Sequence, residues 1–487
     1  MKRRPTFYPR SSMKQLFTEL KKNNDFVCYE HDSNIEPFII CYFFPLIDSE
    51  ILHRDLLEKV REPFATLEEL QARLPFEQIV ITDEPKVVKE KLFGGYVRIS
   101  IMKEEERCLL IKCLKIEGRD VTAAEIEFSV EGPKEAFTES YQTNLNLIRK
   151  RLPTLDLQMK EIKVGKQSHT KVAVMYLGDK AHSEDVDLVF SRLRQIEFDG
   201  VLDSSFIQQV LQDNWKSPFP QLKETERPDR VCGQLQEGRL VIIVDGSPFV
   251  LCGPVSFVDF FSSMEDYYLS WQVGTAFRLI RYFAVTFSVL ATPLYVAVLT
   301  YHYQLIPRDL LGTLIGSRAN IPFPPIIEAL FLELTIELLR EAGARLPTKV
   351  GQTLGIVGGI VIGQASVEAG LTSNVLLIIV ALAALASFTT PVYRMGNTIR
   401  LLRFPFLIFA GMWGLLGVMV CSAFVLTHLI RLTSLNRPYL EPIYPPRLKR
   451  WRDVFVRFPY MPVSAQKTKK SSIFSGLRFK HQKDIDE

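Results

Sequence analysis

The stretch YFAVTFSVLATPLYVAVLTYHY, residues 282–303, decides the architecture. It runs 22 positions without an Asp, Glu, Lys or Arg, and a helix of that length crosses a hydrocarbon core of about 30 Å. Arg278 and Arg281 stand just before it, and Tyr301 and Tyr303 mark a far interface. Pro293 lies inside; a membrane helix tolerates it when neighbouring groups satisfy the freed carbonyl, so a kink is expected. The chain reads as an integral membrane protein.

Working toward the C-terminus, further apolar runs occupy residues 353–371, 374–392 and 404–430. The stretch 326–340 is helical in pattern but carries Glu328, Glu333 and Glu337. Carboxylates facing lipid would each cost several kcal/mol, so this stretch must line water, pair, or lie at the interface. Arg340, Arg345 and Lys349 are the nearest pairing partners in sequence. Counting it as a span gives five crossings; leaving it out gives four, the expectation adopted here. Four crossings return the C-terminus to the side of the N-terminus but leave Arg394, Arg400 and Arg403 in an external loop, against the positive-inside rule.

Toward the N-terminus the character changes. Residues 1–25 read as a flexible basic arm. Residues 26–131 alternate apolar, β-branched runs (37–45, 78–82, 96–102, 107–116 and 124–130) with amphipathic segments such as 49–62, an α/β pattern. Gly132-Pro133 opens a second α/β unit, residues 132–255, with helices near 140–152, 184–196 and 204–213 and strands near 171–177 and 239–244. The expected fold is thus an α/β soluble region of two subdomains followed by an all-α transmembrane domain, residues 256–430, of four to five spans. A basic tail, residues 431–487, closes the chain.

That tail holds 13 Lys/Arg against 5 Asp/Glu, which suits a cytoplasmic segment beside anionic headgroups. The whole chain has 59 basic and 55 acidic residues, too balanced to indicate nucleic acid as a partner. Seven scattered cysteines without a CxxC pair indicate neither disulfides nor zinc. The basic start at Lys2 to Arg4 runs into Pro5 and Pro9 without an apolar core, so no signal peptide is expected and the N-terminal half is placed in the cytoplasm. HExxH, P-loop, GxSxG and dinucleotide-turn motifs are absent and the seven histidines are dispersed, so neither catalysis nor a metal or cofactor is indicated.

Gly351, Gly355, Gly359 and Gly363 recur every four residues and place a groove along one helix face, for packing within one bundle or between subunits around a pore. The same helix continues through Gln364, Ser366 and Glu368, polar groups suited to a water-filled path. In the soluble half, Thr225 to Arg230 (TERPDR) reads as a solvated turn, with an ion-pair corner as the alternative. Glu265-Asp266-Tyr267-Tyr268 reads as an interfacial anchor ahead of the first span.

These residues resemble the A subunits of spore germination receptors, the GerA family. The resemblance is carried by Glu131-Gly132-Pro133 through Glu139-Ser140, Asn144, Arg149 to Arg151, and Glu226-Arg227-Pro228-Asp229. It continues through Asp266-Tyr267, Pro322-Phe323-Pro324, Glu328, Glu337 to Gly343, Leu346-Pro347 and residues 351–370, covering 131 to about 420. It implies a subunit in the spore inner membrane that senses nutrients such as amino acids or sugars. It further implies assembly with a transporter-like B subunit and a lipoprotein C subunit, and an oligomeric, ligand-gated cation channel. A non-conducting scaffold and a secondary transporter are the alternatives, the latter disfavoured by the lack of an internal repeat.

Overall fold

The computed structural model describes residues 13–31, 37–60, 62, 64, 66–76, 78–102, 106–114, 127, 131–345, 358–446 and 454–457. Strands whose two faces are both apolar need cover on both sides, because successive side chains point to opposite faces. The first soluble unit meets that need with β1 (Phe26–His31), β2 (Phe38–Phe43), β3 (Ile79–Thr82), β4 (Tyr96–Ile101) and β5 (Cys108–Lys112), ordered β1-β2-β4-β5-β3 and antiparallel throughout. Phe38, Ile40, Ile99, Leu109 and Ile111 form one face with α2 (Glu58–Val60) and α3 (Leu67–Arg73). Cys41, Phe43 and Leu110 form the other with α1 (Met13–Leu20) and α4 (Pro85–Phe93).

Two expectations change here. Part of the stretch read as a flexible arm is α1, which buries Met13, Leu16 and Leu20 at helical spacing; residues 1–12 lie outside the described residues. Cys28 and Cys41, expected to be unpaired, face each other across the β1–β2 register and are joined as a disulfide. A register of this kind brings together residues that sequence spacing does not link.

The second unit repeats the plan. Its strands β6 (Leu157–Val164), β7 (Thr170–Leu177), β8 (Lys223–Thr225), β9 (Leu240–Val244) and β10 (Val250–Gly253) are ordered β6-β7-β9-β10-β8. One face is covered by α5 (Tyr141–Arg151) and α8 (Pro228–Gln236), the other by α6 (Ser183–Arg194) and α7 (Ser204–Leu211). β9 is buried along its whole length, so it reads as an unbroken apolar run, LVIIV.

After the short α9 (Glu265–Tyr268) the chain enters a bundle of α10 (Trp271–Tyr301), α11 (Arg308–Arg318), α12 (Pro325–Ala344), α13 (Gly363–Glu368), α14 (Asn374–Ser387), α15 (Tyr393–Trp413) and α16 (Leu415–Arg431). Among the described helices, α10 has the length and apolar composition to cross a membrane, while α14 and α16 are apolar but only 14 and 17 residues long. The helix α10 continues through Pro293.

The apolar run 404–430 is not one span. Gly414 takes φ +64° and turns α15 into α16 as a tight hairpin. A Cβ at Gly417 would lie 1.9 Å from the Phe409 carbonyl oxygen, so the two helices meet backbone to backbone there. The run 374–392 likewise stops short, α14 ending at Ser387. Arg394, Arg400 and Arg403 are not in an external loop: all three lie on α15, and Arg394 pairs with Glu224 of the second soluble unit at 2.5 Å. Beyond α16, β11 (Thr433–Ser434) and β12 (Arg437–Pro438) dock back on that unit: Ser434 Oγ donates to the Gln221 carbonyl and Arg437 pairs with Asp185.

Candidate functional site

Three polar constellations organise the molecule, and the first staples the two soluble units together. Arg149 on α5 and Asp25 just before β1 are both fully buried, joined at 2.8 and 2.9 Å. The same guanidinium donates to the Leu157 carbonyl and to Asn23 Oδ1, which fixes it from several directions. Beside it, between the units, lies a cavity of about 660 Å³, lined by Leu46, Phe93, Lys86, Lys89, Lys150 and Asn146 among others. The Asn146 Nδ2 is buried and has no hydrogen-bond partner among the described residues. Sequence reading had no access to this cleft, because its walls come from α4 and α5, some 50 residues apart.

The second constellation joins the soluble region to the bundle. Thr225 to Arg230 is the ion-pair corner and not a solvated turn. Arg227 grips Asp229 at 2.8 and 3.0 Å, Tyr268 donates to Asp229 at 2.7 Å, and Arg230 pairs with Glu127 at 2.6 Å. The motif residues Gly132 and Pro133 belong to the same corner: Gly132, at φ +107°, faces the Tyr268 ring where a Cβ would sit 2.5 Å away, and the Pro133 carbonyl accepts from Arg227. Glu226 is buried in the corner, its carbonyl accepting from the Phe137 amide, and Pro228 opens α8 at its first turn. Burial pushes the Tyr268 hydroxyl up to about 12, helped by its bond to Asp229.

The anchor segment is likewise structural. Asp266, only 1% exposed, receives Arg278 and Arg281 from α10, and Arg457 from the C-terminal tail donates to the carbonyls of Asp266 and Tyr267. These pairs hold the first helix of the bundle at its base. Of the other motif residues, Asn144 closes a side-chain ring on Thr138, Arg151 pairs with Glu135, and the Glu139 carbonyl accepts from Gly246. Glu131 is exposed.

Lys223, buried under this joint, donates to the Asp259 carbonyl at 2.6 Å, while the Asp259 carboxylate holds Arg239. Burial pushes Lys223 down to about 7, with the Arg230 charge adding to the effect. An ordinary lysine titrates near about 10.4, so the unfolded chain binds more protons between those values and this group makes stability rise with pH from about 7 to about 10. Lys223→Met is expected to flatten that rise, read as the denaturant midpoint of the full chain in detergent across that pH range; an unchanged slope would show that Lys223 does not supply it.

The third constellation lies inside the bundle. Glu328 is paired with Arg318 at 2.8 Å and accepts from the Ser373 amide. Glu333 accepts from Thr292 on α10 at 2.9 Å and pairs with Arg403 on α15 at 3.0 Å, and Arg403 also donates to the Ala383 carbonyl of α14. Glu337, half exposed, lies 3.8 Å from Arg400. The partners expected from sequence were Arg340, Arg345 and Lys349. Instead Arg340 donates to Ser387 and stacks on Phe388, Arg345 pairs with Glu341, and Lys349 lies outside the described residues.

Of the glycine stripe, Gly351 and Gly355 lie outside the described residues. Among the described residues, nothing lies within 4 Å of where a Cβ at Gly359 would sit, and a Cβ at Gly363 would meet Leu377 at 3.7 Å. Ser366 is buried and bonds the Ile362 carbonyl; Gln364 and Glu368 are exposed and bond each other.

Two α/β units stapled by a buried ion pair and clamped through further ion pairs onto a helical bundle, within which Glu328 and Glu333 are paired with arginines, define a class: a two-unit α/β region joined to a helical domain. The chain belongs to the GerA family, since residues 13–470 match the family described as Bacillus/Clostridium GerA spore germination protein. Spore germination protein GerQA of Bacillus cereus is 52% identical over 93% of this chain and 91% of its own length. Spore germination protein GerIA of the same organism is 50% identical over 98% of this chain and 72% of its own. Spore germination protein A1 of Bacillus subtilis (strain 168) is 37% identical over 93% of this chain and 94% of its own.

Proposed function

We propose that this chain is the A-type membrane subunit of a nutrient germinant receptor, working as a homo-oligomeric, ligand-gated cation channel in the spore inner membrane. Membership of the GerA family supports the receptor role and, with it, a non-enzymatic reading. A small nutrient occupying the cleft between the soluble units would bear on α5 and, through the ion-pair corner, on α10. A transporter-like B subunit and a lipoprotein C subunit complete the receptor in this reading.

The observation that carries the channel reading is the state of the helix around residues 358–368. Among the described residues it leaves Gly359 uncovered and exposes Gln364 and Glu368 beside the exposed apolar Val361 and Ile362. Such groups are costly against lipid and suit a face shared with other copies around water. The 31-residue apolar α10 supports a membrane-embedded bundle. The pairs Arg394–Glu224 and Arg437–Asp185 keep the start of α15 and the segment after α16 beside the α/β region, assigned here to the cytoplasm, in agreement with the positive-inside rule.

The experiment is ion release on nutrient exposure from spores carrying Gly359→Leu or Glu368→Gln, with protein abundance measured in parallel. Gly359→Leu is expected to abolish assembly and flux, because a leucine side chain cannot enter a face shaped by glycine. Glu368→Gln is expected to lower flux at normal abundance. The full pairing of Glu328 and Glu333 with arginines favours a second reading, a non-conducting scaffold, and wild-type flux in both variants would establish it over the channel.

A further inference from the structure

The loop between α7 and β8 ends in an unusual surface. Trp215 is 76% exposed at its tip, and the Lys216 ammonium sits 5.3 Å over the indole ring. An indole left this open on a soluble face costs hydration free energy and in most proteins finds cover. Immediately behind the tip, the loop is bolted to the base of the bundle. Ser217 Oγ lies 2.8 Å from His428 Nε2 on the last turn of α16, and Thr398 of α15 donates to the Pro218 carbonyl at 2.6 Å. The ends of α15 and α16 that hold the loop also carry the exposed Tyr393 and Ile430, on other faces of those helices.

We infer that this loop is a lipid-binding foot of the soluble region: Trp215 occupies the boundary between headgroups and acyl chains, and Lys216 meets lipid phosphates in the leaflet facing the soluble units. The inference rests on the bundle's being in a membrane. Tryptophan favours that boundary because its ring is apolar while its N–H needs a polar partner. A lysine reaches the phosphates by laying its stem along the apolar layer. The fit is to a bilayer and not to a peptide, since the loop is bonded to the start of α15 and the end of the apolar α16, where the bundle would leave the membrane.

The test uses full-length protein in nanodiscs of phosphatidylglycerol and phosphatidylcholine. Trp215 is kept as the only tryptophan by Trp271→Phe, Trp413→Phe and Trp451→Phe, and lipids brominated at shallow or deep acyl positions are introduced. Shallow bromine is expected to cut the emission about twofold, deep bromine far less, with little quenching by aqueous acrylamide. Lys216→Glu is expected to shift the emission to the red in phosphatidylglycerol discs. A companion protein keeping only Trp413, 49% exposed at the far end of α15, reports on the bundle itself. Bromine quenching of Trp413 without quenching of Trp215 overturns the foot alone, whether Trp215 is then reached by acrylamide or covered by another copy. Quenching of neither overturns the membrane reading as well. Should the triple substitution not fold, a nitroxide at Trp215→Cys, read by oxygen against aqueous nickel accessibility, decides the same question.

Discussion

Arg149→Leu is expected to destabilise the soluble region by about 3–5 kcal/mol, because it strands the Asp25 carboxylate in the interior without its partner. The pair has no exposure to solvent, so neither water nor a surface counter-ion can replace the guanidinium. Arg149 also satisfies the Leu157 carbonyl and Asn23 Oδ1, and those acceptors would be left short as well. The double variant Arg149→Leu, Asp25→Leu should recover much of the loss, since apolar replacement of both ends removes the buried charge altogether. Denaturant unfolding of the full chain in detergent measures both; a single variant costing under about 1 kcal/mol would mean the staple is not what holds the units. The functional corollary is specific. Asn146 and Lys150, on the cavity wall, sit on the same helix as Arg149, so variants that still fold should lose their response to nutrient while retaining abundance.

Much of this architecture was legible in the amino-acid sequence because it rests on local pattern. The unbroken LVIIV of β9, the amphipathic periods of α5 to α7 and the uncharged run within α10 each announce their element without reference to anything distant. What was not legible is decided by partners far along the chain. The acids of α12 looked toward the cations that follow them, but the folded bundle answers Glu328 and Glu333 from Arg318 and Arg403, and the latter lies 70 residues away. The hairpin at Gly414 was hidden for a different reason: apolar composition continues through it, and only the positive φ and the close approach at Gly417 reveal the turn. α1 was missed because its short apolar stripe, Met13, Leu16 and Leu20, is interrupted by Lys14, Gln15, Thr18 and Glu19, which remain at the surface. The TERPDR corner shows the converse, for a charge-rich turn is solvated by default and becomes structural only when Glu127, Tyr268 and the Pro133 carbonyl converge on it.

The Glu333–Arg403 pair is where disruption of the bundle should be greatest. It ties α12 to α15, and through the Ala383 carbonyl to α14, so three helices depend on one guanidinium. Arg403→Leu leaves Glu333 charged among apolar neighbours with only the Thr292 hydroxyl to solvate it, a cost of about 3–5 kcal/mol. Glu333→Gln should cost less, because the amide oxygen still accepts from Arg403 while its NH2 donates to the Thr292 hydroxyl, though the arginine loses its counter-charge. In a double-mutant cycle the two sites should couple by at least about 1 kcal/mol, as groups in direct contact do. The readout is the thermal midpoint of detergent-solubilised protein together with its abundance in spores. The charge-swapped chain, Glu333→Arg with Arg403→Glu, should regain part of both. Were Arg403→Leu to melt like the wild type, Glu333 would have to be relieved by water or by a proton, and the helix carrying it would then face a wet path inside the protomer.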